Sequence, residues 1–165
     1  MKRRTLLTGM TALFAVLLMA GPVLAALTSV SGGAFGEKVN VTTAGPLPVV
    51  VTSGPTPSVT LATDGSNSPQ DASVASACVG AGCSILSTGV LTVHTEGTTG
   101  PHGSVRSTAS VATVNALAGL VTATAVASEC TVDSAGTTSG STTLADLHIN
   151  NIGVVSNPGP NTEVV

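Results

Sequence analysis

Residues 105–132, VRSTASVATVNALAGLVTATAVASECTV, form an apolar, β-prone run in which almost no side chain is larger than valine. The alanines leave a helical interpretation open, but the many Thr and Val side chains, which restrict χ1, favour extended strands. Period-two alternation predicts two strands of about 12 residues, joined near residues 117–119, with Val105 on one face and Arg106 on the other. Because the side chains are small, such a sheet has low relief, and whatever covers it can approach closely.

Two further segments alternate in the same way. SILSTGVLTVHTEG, residues 84–97, places Leu91 and Val93 on one face and His94 on the other. In TTLADLHINNIGVV, residues 142–155, the alternation predicts an apolar face made by Thr143, Ala145, Leu147 and Ile149. We therefore predict an all-β fold, most simply an antiparallel β-sandwich with a flexible Pro/Gly-rich N-terminal portion. A β-solenoid is the alternative, and a largely disordered stalk is a third interpretation.

The N-terminus has the features of an export signal. Three basic residues are followed by an apolar stretch, by Gly21-Pro22 and by the small-residue site that ends at Ala25. We expect residues 1–25 to be a signal peptide cleaved after Ala25, because the apolar run is shorter than the about 20 residues of a membrane span. An uncleaved anchor is the less favoured interpretation. The mature protein is then secreted, extracellular or in the cell wall.

The remaining chain divides by composition. Residues 26–73 are rich in Pro, Gly, Ser and Thr, and we expect a flexible segment with short strands, ending in a polar loop from Asp64 to Asp71. Residues 74–165 carry the regular alternation and form the predicted β-sheet domain. We expect this domain to be incomplete at its C-terminal end.

Charge and composition disfavour several classes of partner. Beyond residue 25 the chain has eight carboxylate side chains but only Lys38 and Arg106 as cations, a formal charge of −6. So few cations argue against nucleic-acid binding, and the absence of a basic amphipathic helix argues against binding to anionic lipid. Phe35 is the only aromatic residue in this part, which disfavours a tight pocket. The expected partners are cell-envelope or extracellular components and, through exposed strand edges, other copies of the chain.

The cysteines suggest a disulfide, since oxidised cysteines are common in exported proteins. Cys78 and Cys83 enclose two glycines in ACVGAGCS, which gives the backbone the freedom to close a small ring. We favour this pairing and leave Cys130 free or paired elsewhere. A long loop closed between Cys130 and either of the others, and three unpaired thiols, are the alternatives.

The residues offer weak candidates for catalysis and metal binding. Asp146 and His148 share a strand face and, with a serine from the turn containing Ser139 and Ser141, would resemble a hydrolase triad, but no G-x-S-x-G motif is present. No spacing typical of metal ligands joins the three histidines, and the possible oxygen ligands for calcium lack the regular acidic spacing of an EF-hand. The residues considered are His94, His102 and His148 for a transition metal, and Asp64, Ser66 and Asp71 for calcium. We predict no cofactor and no catalytic site.

Several segments, in order, resemble the choice-of-anchor P family of secreted actinobacterial surface proteins. They are GGAFGEKV, VTSGPTPSVTLATDG, SILSTGVLTVHTEG, GSVRSTASVATVNALAGLVTATAVASECT, TSGSTTLADLHINNIGV and NPGPNTEV, of which GSTTLADLHINN and GPNTEV are the more specific. The resemblance implies an extracellular or cell-wall protein with no catalytic residues to carry over. Family members usually continue into further strands and often an anchor, so the end at Val165 suggests a truncated form or a released protein. From residues and resemblance together we expect a non-catalytic structural or adhesion protein, with the secreted hydrolase as the alternative.

Overall fold

The computed structural model describes residues 26–42, 49–62 and 68–150, and the backbone of residues 152–155. These residues form two antiparallel sheets that are closed into neither a barrel nor a solenoid, which confirms the predicted all-β sandwich. No helix among them is long and apolar enough to span a bilayer. The strands are β1 (Gly33–Thr42), β2 (Val50–Thr60), β3 (Gln70–Val74), β4 (Cys78–Val79), β5 (Leu86–Thr88), β6 (Leu91–Thr98), β7 (Ser104–Ala116), β8 (Val121–Asp133), β9 (Thr138–Ala145), β10 (Leu147–Ile149) and β11 (Ile152–Val155).

The central part of the larger sheet is a meander in which β6, β7, β8 and β9 lie side by side in sequence order. The 13-residue strands β7 and β8 lie at its centre, as the opening run predicted, and they pair from Ser104 with Asp133 to Ala116 with Val121, with one gap at Thr113. β6 and β5 pair with the outer edge of β7, and β9 and β10 with the outer edge of β8. The β7–β8 turn uses positive φ at Leu117, Ala118 and Gly119. Such short turns connect antiparallel strands without a crossover.

A line of irregular residues, which we call the crease, crosses this sheet. Thr113 in β7 has a φ of 54°, and Gly89, between β5 and β6, donates its N–H to the carbonyls of both Ala112 and Thr113. On the other side Asp146, with a φ of 49°, separates β9 from β10, and its carboxylate accepts a hydrogen bond from Thr124 Oγ1 at 2.9 Å. The pairing register is the same on both sides of the crease. The crease therefore interrupts the strands without shifting them.

The apolar pattern changes phase at the crease. On the β6 side of the crease the half-buried apolar residues of β7 are at odd positions, for example Val105 and Val111. Beyond the crease they are at even positions, Val114 and Ala116. The same change corrects our prediction for residues 142–155. Thr143 and Ala145 are exposed and the half-buried residue is Leu144, because the strict alternation stops at Asp146 before Leu147 and Ile149 resume it.

The hairpin β1–β2 covers one face of the larger sheet at β3, β6 and β7. Leu91 and Val93 of β6, on the face predicted from the sequence, are buried beneath it together with Val30 and Leu61. Gly97 lies against the last two, and a Cβ added there would be 2.8 Å from Val30 Cγ2. The small side chains therefore do allow the covering layer to approach closely, and they concentrate the core at β6.

The strands of residues 26–73 are longer than the sequence suggested. Instead of short strands, the segment contains the 10-residue β1 and the 11-residue β2. Pro55 and Pro57 lie inside β2, each after a cis peptide bond. Asp71, predicted to end a loop, lies in β3, which also crosses the predicted boundary at residue 73. The flexibility of this segment and the division into domains stay predictions. The signal peptide and the NPGPNT segment lie outside the described residues.

The disulfide joins Cys78 to Cys83, as favoured from the sequence, and Cys130 is free and exposed. Gly80 and Gly82 within the ring have φ of 84° and 61°, values that glycine adopts without strain. The residues that follow the ring accept backbone hydrogen bonds from the β7–β8 turn, Leu117 N–H to Ile85 O at 3.0 Å and Ala118 N–H to Ser84 O at 2.9 Å. The disulfide loop thereby fixes the far end of the central hairpin.

Candidate binding surface on the polar face of the sheet

The most distinctive surface lies on the side of the larger sheet opposite the hairpin, and we call it the polar face. Leu91 and Val93 point toward the hairpin, so the residues between them and their cross-strand partners point away from it. Hydroxyl and charged side chains dominate this set, which comprises Asp71, Ser73, Thr92, His94, Glu96, Arg106, Thr108, Ser110, Ala127, Glu129, Thr131, Ser139, Ser141 and Thr143.

A histidine and a carboxylate anchor the edge strand β3 to β6. His94 Nδ1 donates to Asp71 Oδ1 at 2.7 Å, and the two residues are direct cross-strand partners. His94 Nε2 lies 3.6 Å from Glu96 Oε2. The hydrogen bond to Asp71, assisted by the negative charges of Asp71 and Glu96, raises the pKa of His94 above its ordinary value of 6.5. Both ring nitrogens thus face carboxylates.

An arginine and a glutamate connect β7 to β8 in the same region. Arg106 donates from Nε to Glu129 Oε1 and from Nη2 to Glu129 Oε2, both at 2.9 Å, a two-point ion pair. Arg106 Nη1 also lies 3.8 Å from Glu96 Oε1. The hydrogen bonds from Arg106 lower the pKa of Glu129, and the same contacts raise the pKa of Arg106. The charged side chains of the polar face are therefore paired with one another.

Beside the charged side chains the polar face forms a shallow groove of about 770 Å³ that crosses β3, β6, β7, β8 and β9. Its floor is made of small side chains, among them the hydroxyls of Thr92, Ser110 and Thr143. Thr92 Oγ1 and Ser110 Oγ are 2.6 Å apart, so one hydroxyl donates to the other. Each such pair retains one O–H donor and free lone pairs, so the floor can both donate and accept hydrogen bonds.

The predicted hydrolase residues do not come together in this geometry. Asp146 is bonded to Thr124 at the crease, and neither a hydrogen bond nor an ion pair joins it to His148 in the described chain. Ser139 and Ser141 lie in β9 on the polar face, where Ser141 is the cross-strand partner of Glu129. The Asp–His pair that the fold does form, Asp71 with His94, was not predicted, because Asp71 was assigned to a loop.

The metal candidates are also dispersed. His94 lies in β6, His102 in the exposed turn that follows it and His148 in β10 beyond the crease. Among the described residues no three His, Cys, Asp or Glu side chains are grouped to hold a metal ion. Of the calcium candidates, Asp71 is bonded to His94, whereas Asp64 and Ser66 lie outside the described residues.

Sequence reasoning also missed a buried carboxylate in the covering hairpin. Glu37 is 7% exposed, and its Oε1 accepts a hydrogen bond from Ser53 Oγ at 2.9 Å. Its Oε2 is buried with no hydrogen-bond partner. The register between β1 and β2 shifts just after Glu37, and this bulge turns inward a side chain that strict alternation would expose. The sequence feature that could have indicated this burial is Ser53, a polar residue that precedes Gly54-Pro55 in the partner strand β2.

No protein-family model matches the chain, and no match was found among curated proteins or solved structures. The resemblance to the choice-of-anchor P family therefore stays a prediction from the quoted segments. Function must be argued from the fold and the polar face.

Proposed function

We propose that the protein is a secreted or cell-surface, non-catalytic structural or adhesion protein that makes contact through its polar face. The observation that carries the proposal is the continuity of this face across five strands of one sheet. Side chains on paired strands are held more rigidly than side chains on loops, so less conformational entropy is lost when a partner binds.

The pairing of the charges supports the same role. Asp71 with His94 and Arg106 with Glu129 fix the positions of the longest side chains on the face. Their ion pairs are exposed and add little to stability, but they keep the surface from being a field of one charge sign. Location outside the cell is supported by the N-terminal export pattern.

The test is adhesion of the purified chain from residue 26 to intact cells, cell-wall fragments and extracellular matrix. The variant Ser141→Arg places a long charged side chain on the polar face, and Thr142→Arg places the same side chain on the opposite face of the same strand. We expect the first substitution to abolish adhesion and the second to preserve it. Equal adhesion by both variants, or none by the unmodified chain, would refute the proposal.

The geometry gives less support to the alternative, a secreted hydrolase that uses Asp146, His148 and a serine, because Asp146 is bonded to Thr124. We expect His148→Ala to leave the hydrolysis of chromogenic ester and peptide substrates unchanged. A loss of hydrolysis in that variant would revive the alternative.

A further inference from the structure

We propose that the groove on the polar face binds a linear, uncharged glycan that lies across the strands. This inference rests on the proposed adhesive function and names the chemical class of its ligand. It begins from the direction of the groove, whose lining residues come from β3, β6, β7, β8 and β9 in turn. With neighbouring strands about 4.8 Å apart, the groove extends over about 19 Å from the first strand to the fifth. That is roughly the length of a tetrasaccharide.

The hydroxyls on the floor favour a polyol over other elongated ligands. Thr92 and Ser110 form one bonded pair that still offers a donor and acceptors, and Thr143 adds a further exposed hydroxyl. Sugar hydroxyl groups also donate and accept at once, so they can satisfy both functions of the floor. An apolar peptide would gain little, because Ala127 is a small apolar side chain and the other side chains that point into the groove from the polar face are polar.

The charges favour an uncharged ligand. Glu129 is paired with Arg106, and Asp71 with His94, so no cation in the groove is left to hold a sulfated or phosphorylated chain. The excess of carboxylates in the chain beyond residue 25 would repel such a ligand. The carboxylate oxygens nevertheless keep lone pairs that can accept hydrogen bonds from sugar hydroxyl groups.

The expected affinity is low, because the groove lacks an aromatic ring for a sugar to stack on. We expect a Kd of about 1 mM for a tetrasaccharide, supported mainly by hydrogen bonds to hydroxyl and carboxylate groups. Useful adhesion would then require many copies acting together on one surface.

In the experiment, the chain from residue 26 is titrated with β-1,4-linked N-acetylglucosamine oligomers and with β-1,4-linked glucose oligomers, from disaccharide to hexasaccharide. Binding is measured from the changes in the protein's NMR chemical shifts. We expect the affinity to rise up to the tetrasaccharide and then level off. Thr143→Val removes a hydroxyl from the groove and should weaken binding about five-fold, the effect of one hydrogen bond. Thr142→Val removes a hydroxyl from the opposite face of β9 and should leave binding unchanged.

The outcomes separate this inference from the proposed function. Adhesion to cells or cell wall without binding to either oligomer series would overturn the glycan assignment and leave the adhesive role standing. Equal weakening by Thr143→Val and Thr142→Val would overturn the location of the site, and saturable binding of oligolysine in preference to the sugars would overturn the ligand class. Failure of both adhesion and oligosaccharide binding would remove both proposals. Thermal unfolding of the two valine variants checks that neither has lost its fold.

Discussion

Adding one methyl group at Gly97 should weaken the contact between the covering hairpin and the sheet. In Gly97→Ala the new Cβ would lie 2.8 Å from Val30 Cγ2 and 3.0 Å from Leu61 Cδ1. Val30 and Leu61 are 5% and 2% exposed, so neither has free space to move into. Overpacking of this kind costs about 1–3 kcal/mol, and replacing a strand glycine by alanine returns about 0.5–1 kcal/mol. The middle values of these two ranges leave a net fall of about 1 kcal/mol in the free energy of unfolding.

Urea denaturation measures this change directly. With an m-value of about 2 kcal/mol per molar, the midpoint should fall by about 0.5 M. The matched control is Gly140→Ala in β9, where the one described atom near the new Cβ is Glu129 O at 3.2 Å. We expect that variant to stay within about 0.5 kcal/mol of the unmodified protein.

A second substitution tests the cause. Val30→Ala removes the methyl groups that the new Cβ would meet, so Gly97→Ala should cost less in its presence, with a coupling of about 0.5–1.5 kcal/mol. The reasoning would be refuted by an unchanged midpoint in Gly97→Ala, by an equal loss in Gly140→Ala, or by strict additivity with Val30→Ala. Each result would mean that the small side chains do not serve to bring the covering hairpin close to the sheet.

Three other predictions concern the disulfide, the histidine and the crease. Replacing both Cys78 and Cys83 by serine should lower the free energy of unfolding by about 2 kcal/mol, as measured by urea denaturation. The pKa of His94, measured by NMR titration, should exceed 6.5 and fall toward that value in Asp71→Asn. Because the pKa of His94 is raised in the folded state, the stabilisation from its pairing with Asp71 should be complete below pH 6.5. It should be lost as the pH rises through the folded-state pKa. Thr113→Gly should raise the stability by about 0.5–1 kcal/mol in urea denaturation, since a β-branched residue is strained at a φ of 54°.

Each of these has a specific contradicting result. Cys130→Ser should leave the stability unchanged, so a loss equal to that of the disulfide variant would refute the assigned pairing. An unchanged His94 titration in Asp71→Asn would mean that the pair does not persist in solution. Thr108, in the regular part of β7, is the control for the crease, because glycine there should destabilise. Equal losses at Thr108 and Thr113 would contradict the strain.

Regular alternation made the sheet predictable from the sequence. The central strands, their joining turn and the inward direction of Leu91 and Val93 all follow from period-two patterns of small β-formers. The favoured disulfide was predictable as well, because Cys78 and Cys83 lie close in sequence with glycines between them.

The irregular features could not be read in the same way. Asp71 follows a run of loop-forming residues, and only pairing with a distant strand shows that it belongs to β3 opposite His94. The crease depends on positive φ at Thr113 and Asp146. A β-branched threonine rarely adopts this conformation, and an aspartate, although it adopts it more often, does so in only a minority of cases, so the phase change across the crease was missed. The pairing of charges on the polar face likewise depends on the register between strands, which one sequence does not specify.

The meander has a consequence for how the chain reaches its native state. Because β6 pairs with β7, β7 with β8 and β8 with β9, the centre of the larger sheet can form one hairpin at a time from nearby segments, with little entropy lost in closing each loop. Docking of β1 and β2 is the step that joins distant parts of the chain. In folding kinetics we therefore expect the hairpins of the larger sheet to form early. Substitutions under the covering hairpin should then change mainly the unfolding rate.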